Sequence, residues 1–334
     1  MRIESCVTSI SWIPFASIEG ITGFPFSIGL CHYDDPPPQR LDMVQQRNGA
    51  DRFVNELRAW VSVEDGRIAD YGYSGGGYVG VTKVSFGPEI IALPGIHLPI
   101  LQRPPKILGT SVRFVQTVGG RTALPAPRRS VHRPFFQVAA PAAWTTLALT
   151  LHADGSTEHE LTGASPFPRH WIYDKDGTLV QCSALIDFDN WYHTALQHTP
   201  WGDVDVPALV AEAETPLERD LSLLVTHAAR KPPIRRLSAQ SLLVEQGDEG
   251  REMFLLLDGV LSIEVDGNRL GEVGPGSILG ERAYLEGGRR HATLRAITAC
   301  RVAVATVDTF PKAALEELAG HHGTADRTAG LSNG

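Results

Sequence analysis

Cysteine is scarce in this chain of 334 residues, and its four cysteines, Cys6, Cys31, Cys182 and Cys300, are widely scattered. No two of them form a CxxC pair, the local signature of many zinc and redox sites. The sequence therefore predicts reduced thiols, a cytoplasmic protein and no metal site. The spacing alone leaves a single disulfide open.

Long apolar runs and basic clusters are missing as well. The most apolar stretch, IIALPGIHLPIL at 90–101, is short and contains two prolines, so no membrane span is predicted. The first twenty residues contain Glu4 and no continuous apolar segment, which argues against a signal peptide. The chain has 30 basic and 38 acidic residues, a net charge of −8. This balance argues against DNA as a partner.

Turn signals are the clearest local feature. Asp-Gly pairs stand between alternating apolar runs at 65–66, 154–155, 176–177 and 266–267. Asp-Gly supplies the positive φ angles of a type I′ turn, which matches the twist of paired strands. The pattern predicts a mainly β, antiparallel fold. Because three of the pairs precede residue 210, we expect residues 1–209 to form a β-rich domain of their own.

The strongest helix pattern lies at 215–229. Thr215 suits the N-cap, Pro216 suits the first helical turn, and Glu218 completes a capping box. The predicted apolar face consists of Leu217, Leu221, Leu224, Val225 and Ala228. We therefore expect a helical linker over 210–233.

The segment after this linker contains a glycine-rich stretch, GPGSILGERAYLEGGRRHAT, at 274–293. Gly280 allows the backbone to approach a ligand closely, and the next residues can start a short helix whose N–H groups attract phosphate. Arg290 offers a planar fork of donors that suits two phosphate oxygens. Glu281 is an acceptor that needs a donor.

Several segments together carry a resemblance to a known family. They are LLVEQGDEG with Gly247, MFLLLDGVLSIEV with Gly259, LGEVGPGSILGERAYL, and RRHATLRA. Over 234–320 the chain resembles the cyclic nucleotide-binding domain of catabolite activators, cyclic-nucleotide-dependent kinases and gated channels. The resemblance implies a jelly-roll-like β-roll flanked by short helices. We expect a final helix at 310–320 and a disordered tail at 321–334.

The resemblance also implies a binding site for cAMP or cGMP, with no other cofactor. In the family, the glutamate after the cassette glycine takes the ribose 2′-hydroxyl, and the phosphate arginine follows nine residues later; these positions are Glu281 and Arg290. The predicted ligand-binding set is Gly280, Glu281, Arg282, Ala283, Arg290, His291, Ala292 and Thr293. Arg282 and His291 depart from the family, which usually has an apolar and a small residue there.

A further departure concerns the lid. Family members cap the base with a long helix after the roll, whereas the sequence predicts only 310–320 here. We therefore expect a cap from the N-terminal domain or from a second subunit, which makes a homodimer worth testing. The same shortness removes the helix-turn-helix of the transcription factors and again argues against DNA binding.

The N-terminal domain contains a cluster of residues capable of acid–base chemistry or metal binding. They are His170, Asp174, Asp187, Asp189, His193, His198 and Asp203. The five-residue spacing of the last two histidines does not suit a zinc motif, and no GxSxG elbow is present. Catalytic residues therefore stay unassigned, and a β-barrel that holds a small apolar ligand is an equal alternative.

Three functional hypotheses follow. The first is a cytosolic cyclic nucleotide sensor whose β-roll modulates the N-terminal domain. The second is an N-terminal enzyme, or a small-ligand-binding domain, that the roll regulates. The third is a structural or docking protein whose roll no longer binds nucleotide.

Overall fold

The computed structural model describes most of the chain and divides it into two compact units. The described residues are 1–12, 37–42, 52–86, 89–122, 126–129, 136–139, 141–187, 191, 199–202, 207–228 and 230–331. Among the described residues, those up to Val210 form the first unit and those from Ala211 onward form the second.

The described part of the first unit is built from antiparallel strands. They are β1 Arg2–Trp12, β2 Arg52–Glu64, β3 Arg67–Tyr73, β4 Gly76–Val79, β5 Val81–Phe86, β6 Glu89–Pro94, β7 Ile96–His97, β8 Leu101–Leu108, β9 Ser111–Arg121, β10 Ala126–Arg129, β11 Phe136–Ala139, β12 Ala142–His152, β13 Thr157–Ala164, β14 His170–Tyr173 and β15 Leu179–Ser183, with β16 Val210–Glu212 at the boundary between the units. One large sheet has the order β15-β14-β1-β2-β3, with β4 also paired to β2. A second has the order β13-β12-β9-β7, with β8 also paired to β9.

The two large sheets of this unit enclose one apolar core. Val7 and Leu57 from the first sheet pack with Phe114, Leu147 and Leu149 from the second, and all five are at most 1% exposed. Burial of these side chains is the main stabilising contribution, since each large aliphatic side chain contributes roughly 1.5–3 kcal/mol.

The predicted hairpins form at all four Asp-Gly pairs. At 65–66 and 266–267 both residues have positive φ, as a type I′ turn requires. At 154–155 and 176–177 only the glycine has positive φ, and the strands are joined by longer loops. The mainly β, antiparallel fold class is confirmed.

The second unit is a β-roll with three described α-helices. Its elements are α1 Pro216–Thr226, β17 Ile234–Leu237, β18 Leu242–Val244, β19 Met253–Asp258, β20 Leu261–Val265, β21 Asn268–Val273, β22 Ile278–Leu279, α2 Glu281–Leu285, β23 Thr293–Ala296, β24 Cys300–Ala305 and α3 Lys312–Leu331. Two four-stranded sheets have the orders β17-β24-β19-β22 and β18-β23-β20-β21.

Strand β19 explains how this unit holds together. Phe254 and Leu256 point into the core shared by the two sheets. Met253, Leu255 and Leu257 point to the opposite side, where they pack against the helices. Because both faces are buried, the strand reads as a continuous apolar run and not as an alternating one.

Helix α1 confirms the predicted capping box but not the whole predicted apolar face. Thr215 accepts from the Glu218 backbone N–H, and the Glu218 side chain accepts from Thr215. Leu221 and Val225 are buried in the helical core of the second unit. Leu224, which was predicted on the same apolar face, is 43% exposed.

The last helix is longer than the sequence predicts. Helix α3 runs from Lys312 to Leu331, so the predicted end of this helix at 320 is wrong, and residues 332–334 of the predicted tail lie outside the described residues. Leu315 and Leu318 anchor its first turns in the core. Once this part is nucleated, the helix can continue past Gly320 and Gly323, although glycine is a poor helix former, because no proline stops it.

Other features of the described residues concern thiols, metals and membranes. Cys6, Cys182 and Cys300 are free thiols, while Cys31 lies outside the described residues. No group of three or more potential metal ligands occurs in the described part of the chain. None of the described helices is long and apolar enough to cross a membrane.

Candidate functional site

The second unit contains a cavity of about 110 Å³ beside the glycine-rich stretch. Seven of the eight predicted site residues line it. Thr293 is the exception, since it is not part of the lining and its hydroxyl accepts a hydrogen bond from the Gln246 backbone at 2.9 Å. The role of the seven as ligand contacts stays a prediction.

Arg290 is a buried cation at the edge of this cavity. It is 5% exposed. Its Nη1 donates to the Glu252 carbonyl at 2.9 Å, and its guanidinium carbon lies 5.0 Å from the centre of the Phe254 ring. Burial lowers the pKa of Arg290, although an arginine remains charged at neutral pH. None of the ion pairs among the described residues includes Arg290, although the carboxylates of Glu252, Asp248 and Glu281 lie near enough to act on its charge.

Gly280 brings the backbone close to this arginine. Its φ is +102°, a left-handed conformation that favours glycine. A Cβ at this position would lie 2.8 Å from both Arg290 Nη1 and the Glu252 carbonyl oxygen. Glycine is therefore required both by the conformation and by the space. The helix that follows, α2, has only five residues, so its dipole adds little to the positive potential.

Glu281 begins α2 and is 5% exposed. Its Oε1 lies 2.9 Å from Nδ1 of His322, which comes from α3. A buried carboxylate needs a donor or a positive partner, and His322 supplies it. The acceptor that the family resemblance assigns to a ribose hydroxyl is therefore already engaged within the chain.

His322 also faces a second buried carboxylate. Its Nε2 lies 3.8 Å from Oε1 of Glu218 in α1, which is 6% exposed. Glu218 and Glu281 together raise the pKa of His322 to about 10. Burial tends to raise the pKa of Glu218, but the nearby His322 imidazole and hydrogen bonds from Thr215 lower it below its usual value. The histidine is thus an imidazolium between two carboxylates at neutral pH.

The two residues that depart from the family are placed differently. His291 is paired with Glu286, with 3.3 Å between Nε2 and Oε2, and its side chain is 39% exposed. Arg282 lines the cavity. The neighbouring Arg289 is exposed and donates to the Gly247 carbonyl at 3.3 Å, so it does not share the buried position of Arg290.

Sequence reasoning missed seven of the lining residues. Six are apolar: Val244, Ile263, Val265, Leu270, Leu279 and Leu294. The alternation in LSIEV places Ile263 and Val265 on one face of β20 and could have indicated that wall. The seventh is His322, which no local pattern could assign because the helix was predicted to end before it. Helix α3 therefore contributes one residue to the cavity lining, and the cap expected from another domain or subunit stays a prediction.

The described acid–base candidates of the first unit have structural roles. His170 is fully buried, its Nε2 lies 3.0 Å from the Ser165 carbonyl oxygen, and burial lowers its pKa to about 4. Asp174 accepts from the backbone N–H groups of Asp176 and Thr178 and so stabilises a turn. Asp187 is exposed. Asp189, His193, His198 and Asp203 lie outside the described residues.

Comparison with known families assigns the C-terminal part of the chain. Residues 234–317 match the family model of the cyclic nucleotide-binding domain. The predicted resemblance over 234–320 is thereby confirmed.

Relatives of known identity match the same part. The human potassium/sodium hyperpolarization-activated cyclic nucleotide-gated channel 3 is 42% identical over 77 residues, which are 23% of this chain and 10% of the channel. Channel 4 of the same type from Oryctolagus cuniculus is 37% identical over 68 residues, 20% of this chain and 6% of the channel. The match spans a tenth or less of the length of these relatives.

Solved structures also match part of the chain. A cAMP-bound PfPKA-R structure matches with 20% identity and a TM-score of 0.28, covering 35% of this chain and 40% of that chain. The regulatory domain of Toxoplasma gondii PKA with cAMP matches with 27% identity and a TM-score of 0.24, covering 28% and 41%.

Proposed function

We propose that the second unit binds a cyclic nucleotide, cAMP or cGMP, and that this binding regulates the domain formed by residues 1–209. In this proposal the cyclic phosphate contacts Arg290, the base lies in the cavity, and Glu281 is the acceptor for the ribose 2′-hydroxyl once the His322 imidazole has been displaced from it. The protein is then a cytosolic sensor. A helical linker over 210–233, a binding domain over 234–320 and a homodimer remain parts of the proposal.

The observation that carries the proposal is the environment of Arg290. A guanidinium that is 5% exposed, borders a cavity and takes part in none of the described ion pairs suits a small anion. A phosphate would supply the missing charge through charge-assisted hydrogen bonds of roughly 1.5–3 kcal/mol each. Glu281, nine residues earlier, borders the same cavity and is an acceptor that a hydroxyl can use.

The apolar wall suits the base. Val244, Ile263, Val265 and Leu270 line one part of the cavity, where they can pack against a flat ring. These four side chains offer no hydrogen bond that would distinguish adenine from guanine. Both nucleotides therefore belong in the test.

Isothermal titration calorimetry of the full chain tests the proposal directly. We expect cAMP or cGMP to bind, whereas 5′-AMP or 5′-GMP, which has the corresponding base without the cyclic ester, should bind more weakly. The Arg290→Ala variant should bind the cyclic nucleotide at least roughly tenfold more weakly, because it loses a charge-assisted contact. Arg289→Ala is the matched control and should keep the wild-type affinity.

Two results would contradict the proposal. If the wild-type chain and the His322→Gln variant described below both fail to bind either nucleotide at millimolar concentration, nucleotide binding is excluded. If Arg290→Ala binds as the wild type does, the assignment of this arginine to the phosphate is wrong. A folded chain without nucleotide binding would favour the docking alternative.

A further inference from the structure

We propose that His322 is a specificity-determining residue that holds Glu281 in the unliganded protein and thereby suppresses recognition of the ribose 2′-hydroxyl. The inference rests on the proposed nucleotide function and names how that site is regulated from within the chain. A ligand gains the hydrogen bond to Glu281 only after it displaces the imidazole from that carboxylate.

The geometry carries the inference. His322 Nδ1 lies 2.9 Å from Glu281 Oε1, which is hydrogen-bonding distance, and His322 also lines the cavity. Glu281 is 5% exposed and stands directly after Gly280. A hydroxyl that donates to this oxygen and the imidazole that already contacts it therefore compete for one place.

Charge makes the competition unequal. His322 is the cation between Glu281 and the buried carboxylate of Glu218, at 2.9 and 3.8 Å. A neutral hydroxyl is a poor replacement for the charged imidazolium, because a buried carboxylate without a positive partner carries an uncompensated desolvation penalty. We therefore expect the wild-type protein to gain little from the 2′-hydroxyl of a bound nucleotide.

The other cations near the cavity for which a partner is described contact other groups. Arg282, Arg290 and His291 line the same cavity. Arg290 donates to the Glu252 carbonyl, and His291 is paired with Glu286. On α1, Arg219 is paired with Glu214 at 3.6 Å, and on β21 Arg269 is paired with Glu272. The described side-chain contact of the Glu281 carboxylate is with His322, and a ribose hydroxyl must displace it.

Calorimetry with cAMP and 2′-deoxy-cAMP on the full chain separates this role from a merely structural one. The wild type should bind the two ligands with affinities within about threefold of each other. In His322→Gln, cAMP should bind roughly tenfold more tightly, because the neutral amide yields Glu281 to the hydroxyl more easily. The affinity for 2′-deoxy-cAMP should stay unchanged, since that ligand has no hydroxyl for Glu281. If cGMP is the preferred ligand, cGMP and 2′-deoxy-cGMP replace this pair.

His321→Gln is the matched control, because His321 is the exposed neighbour on the same helix and should leave both affinities unchanged. An equal increase in affinity for both ligands in His322→Gln, or no increase for either, would overturn the inference. The proposed nucleotide binding would not be affected by either result. Binding by His322→Gln alone would support the inference. If His322→Gln does not fold, the wild-type affinities alone test the inference. A wild-type preference of tenfold or more for cAMP over 2′-deoxy-cAMP would also overturn the inference. Failure of every folded variant to bind any nucleotide contradicts the proposed function itself.

Discussion

At the scale of single residues, the site depends on a few positions whose chemistry cannot be exchanged. Gly280 has positive φ and no room for a Cβ, Arg290 is a buried cation, and Glu281 is a buried carboxylate. The sequence identified all three from residue type and spacing. It did not identify the partner of Glu281, because His322 lies 41 residues further along the chain.

Gly280→Ala should weaken both the fold and the site. Positive φ at a residue with a side chain costs roughly 1–3 kcal/mol, and the new methyl group would press on Arg290 Nη1. We expect faster hydrogen exchange in 274–293, measured by mass spectrometry, together with weaker nucleotide binding. Gly271→Ala is the control, because no atom lies within 4 Å of a Cβ built there. Wild-type exchange in Gly280→Ala would show that the strained conformation is not needed.

At the scale of elements, the predictions were correct where the residues that specify an element lie within a few positions of one another. The capping box of α1 and the Asp-Gly hairpins are encoded within a few residues, and they formed as predicted. The end of α3 was missed because HHGTADRTAGL has no strong helix pattern. Contacts from elsewhere in the fold, including Glu218 and Glu281 to His322, stabilise a helix that local propensity leaves undecided.

The contact of α3 with α1 and α2 predicts how stability varies with pH. The pKa of His322 is about 10 in the folded protein and 6.5 as the ordinary value. Because the folded value is the higher one, the stabilisation is complete below pH 6.5 and is lost as the pH rises toward 10. The slope is at most about 1.4 kcal/mol per pH unit.

We expect His322→Gln to remove this dependence. Hydrogen exchange of residues 211–331 at pH 7 and pH 9.5 measures it, with the exchange rates corrected for their intrinsic pH dependence. The wild type should lose more protection between these two pH values than His322→Gln does, and His321→Gln should behave as the wild type. An identical loss in wild type and His322→Gln would mean that the imidazolium does not stabilise this unit.

At the scale of the whole molecule, two compact units are stabilised by separate cores. All six tryptophans precede residue 202, so tryptophan fluorescence reports on the first unit and not on the roll. The first unit also contains a buried polar contact between its two large sheets. Gln116 Nε2 donates to Asn55 Oδ1 at 3.0 Å, and Asn55 Nδ2 donates to the Thr145 carbonyl at 3.0 Å.

Removal of one amide from this pair should destabilise the first unit. Gln116 is 0% exposed, so Gln116→Leu leaves Asn55 Oδ1 without this donor, at a cost of roughly 1–3 kcal/mol. Urea unfolding followed by tryptophan fluorescence measures the loss. The double variant Asn55→Leu/Gln116→Leu should lose less than the sum of the two single variants, since neither amide is then left alone. Additive losses would show that the two amides are energetically independent.

The antiparallel class, the hairpin turns, the capped helix and the spacing of Gly280, Glu281 and Arg290 could be predicted, because each depends on residues close together in the chain. Long-range packing was needed to show that Leu224 is exposed, that His170 is a buried structural residue, and that α3 reaches the cavity. These features depend on which distant segments pack together. The pairing of His322 with Glu281 and Glu218 belongs to this second group, since three helices must meet before one imidazole can lie between two carboxylates.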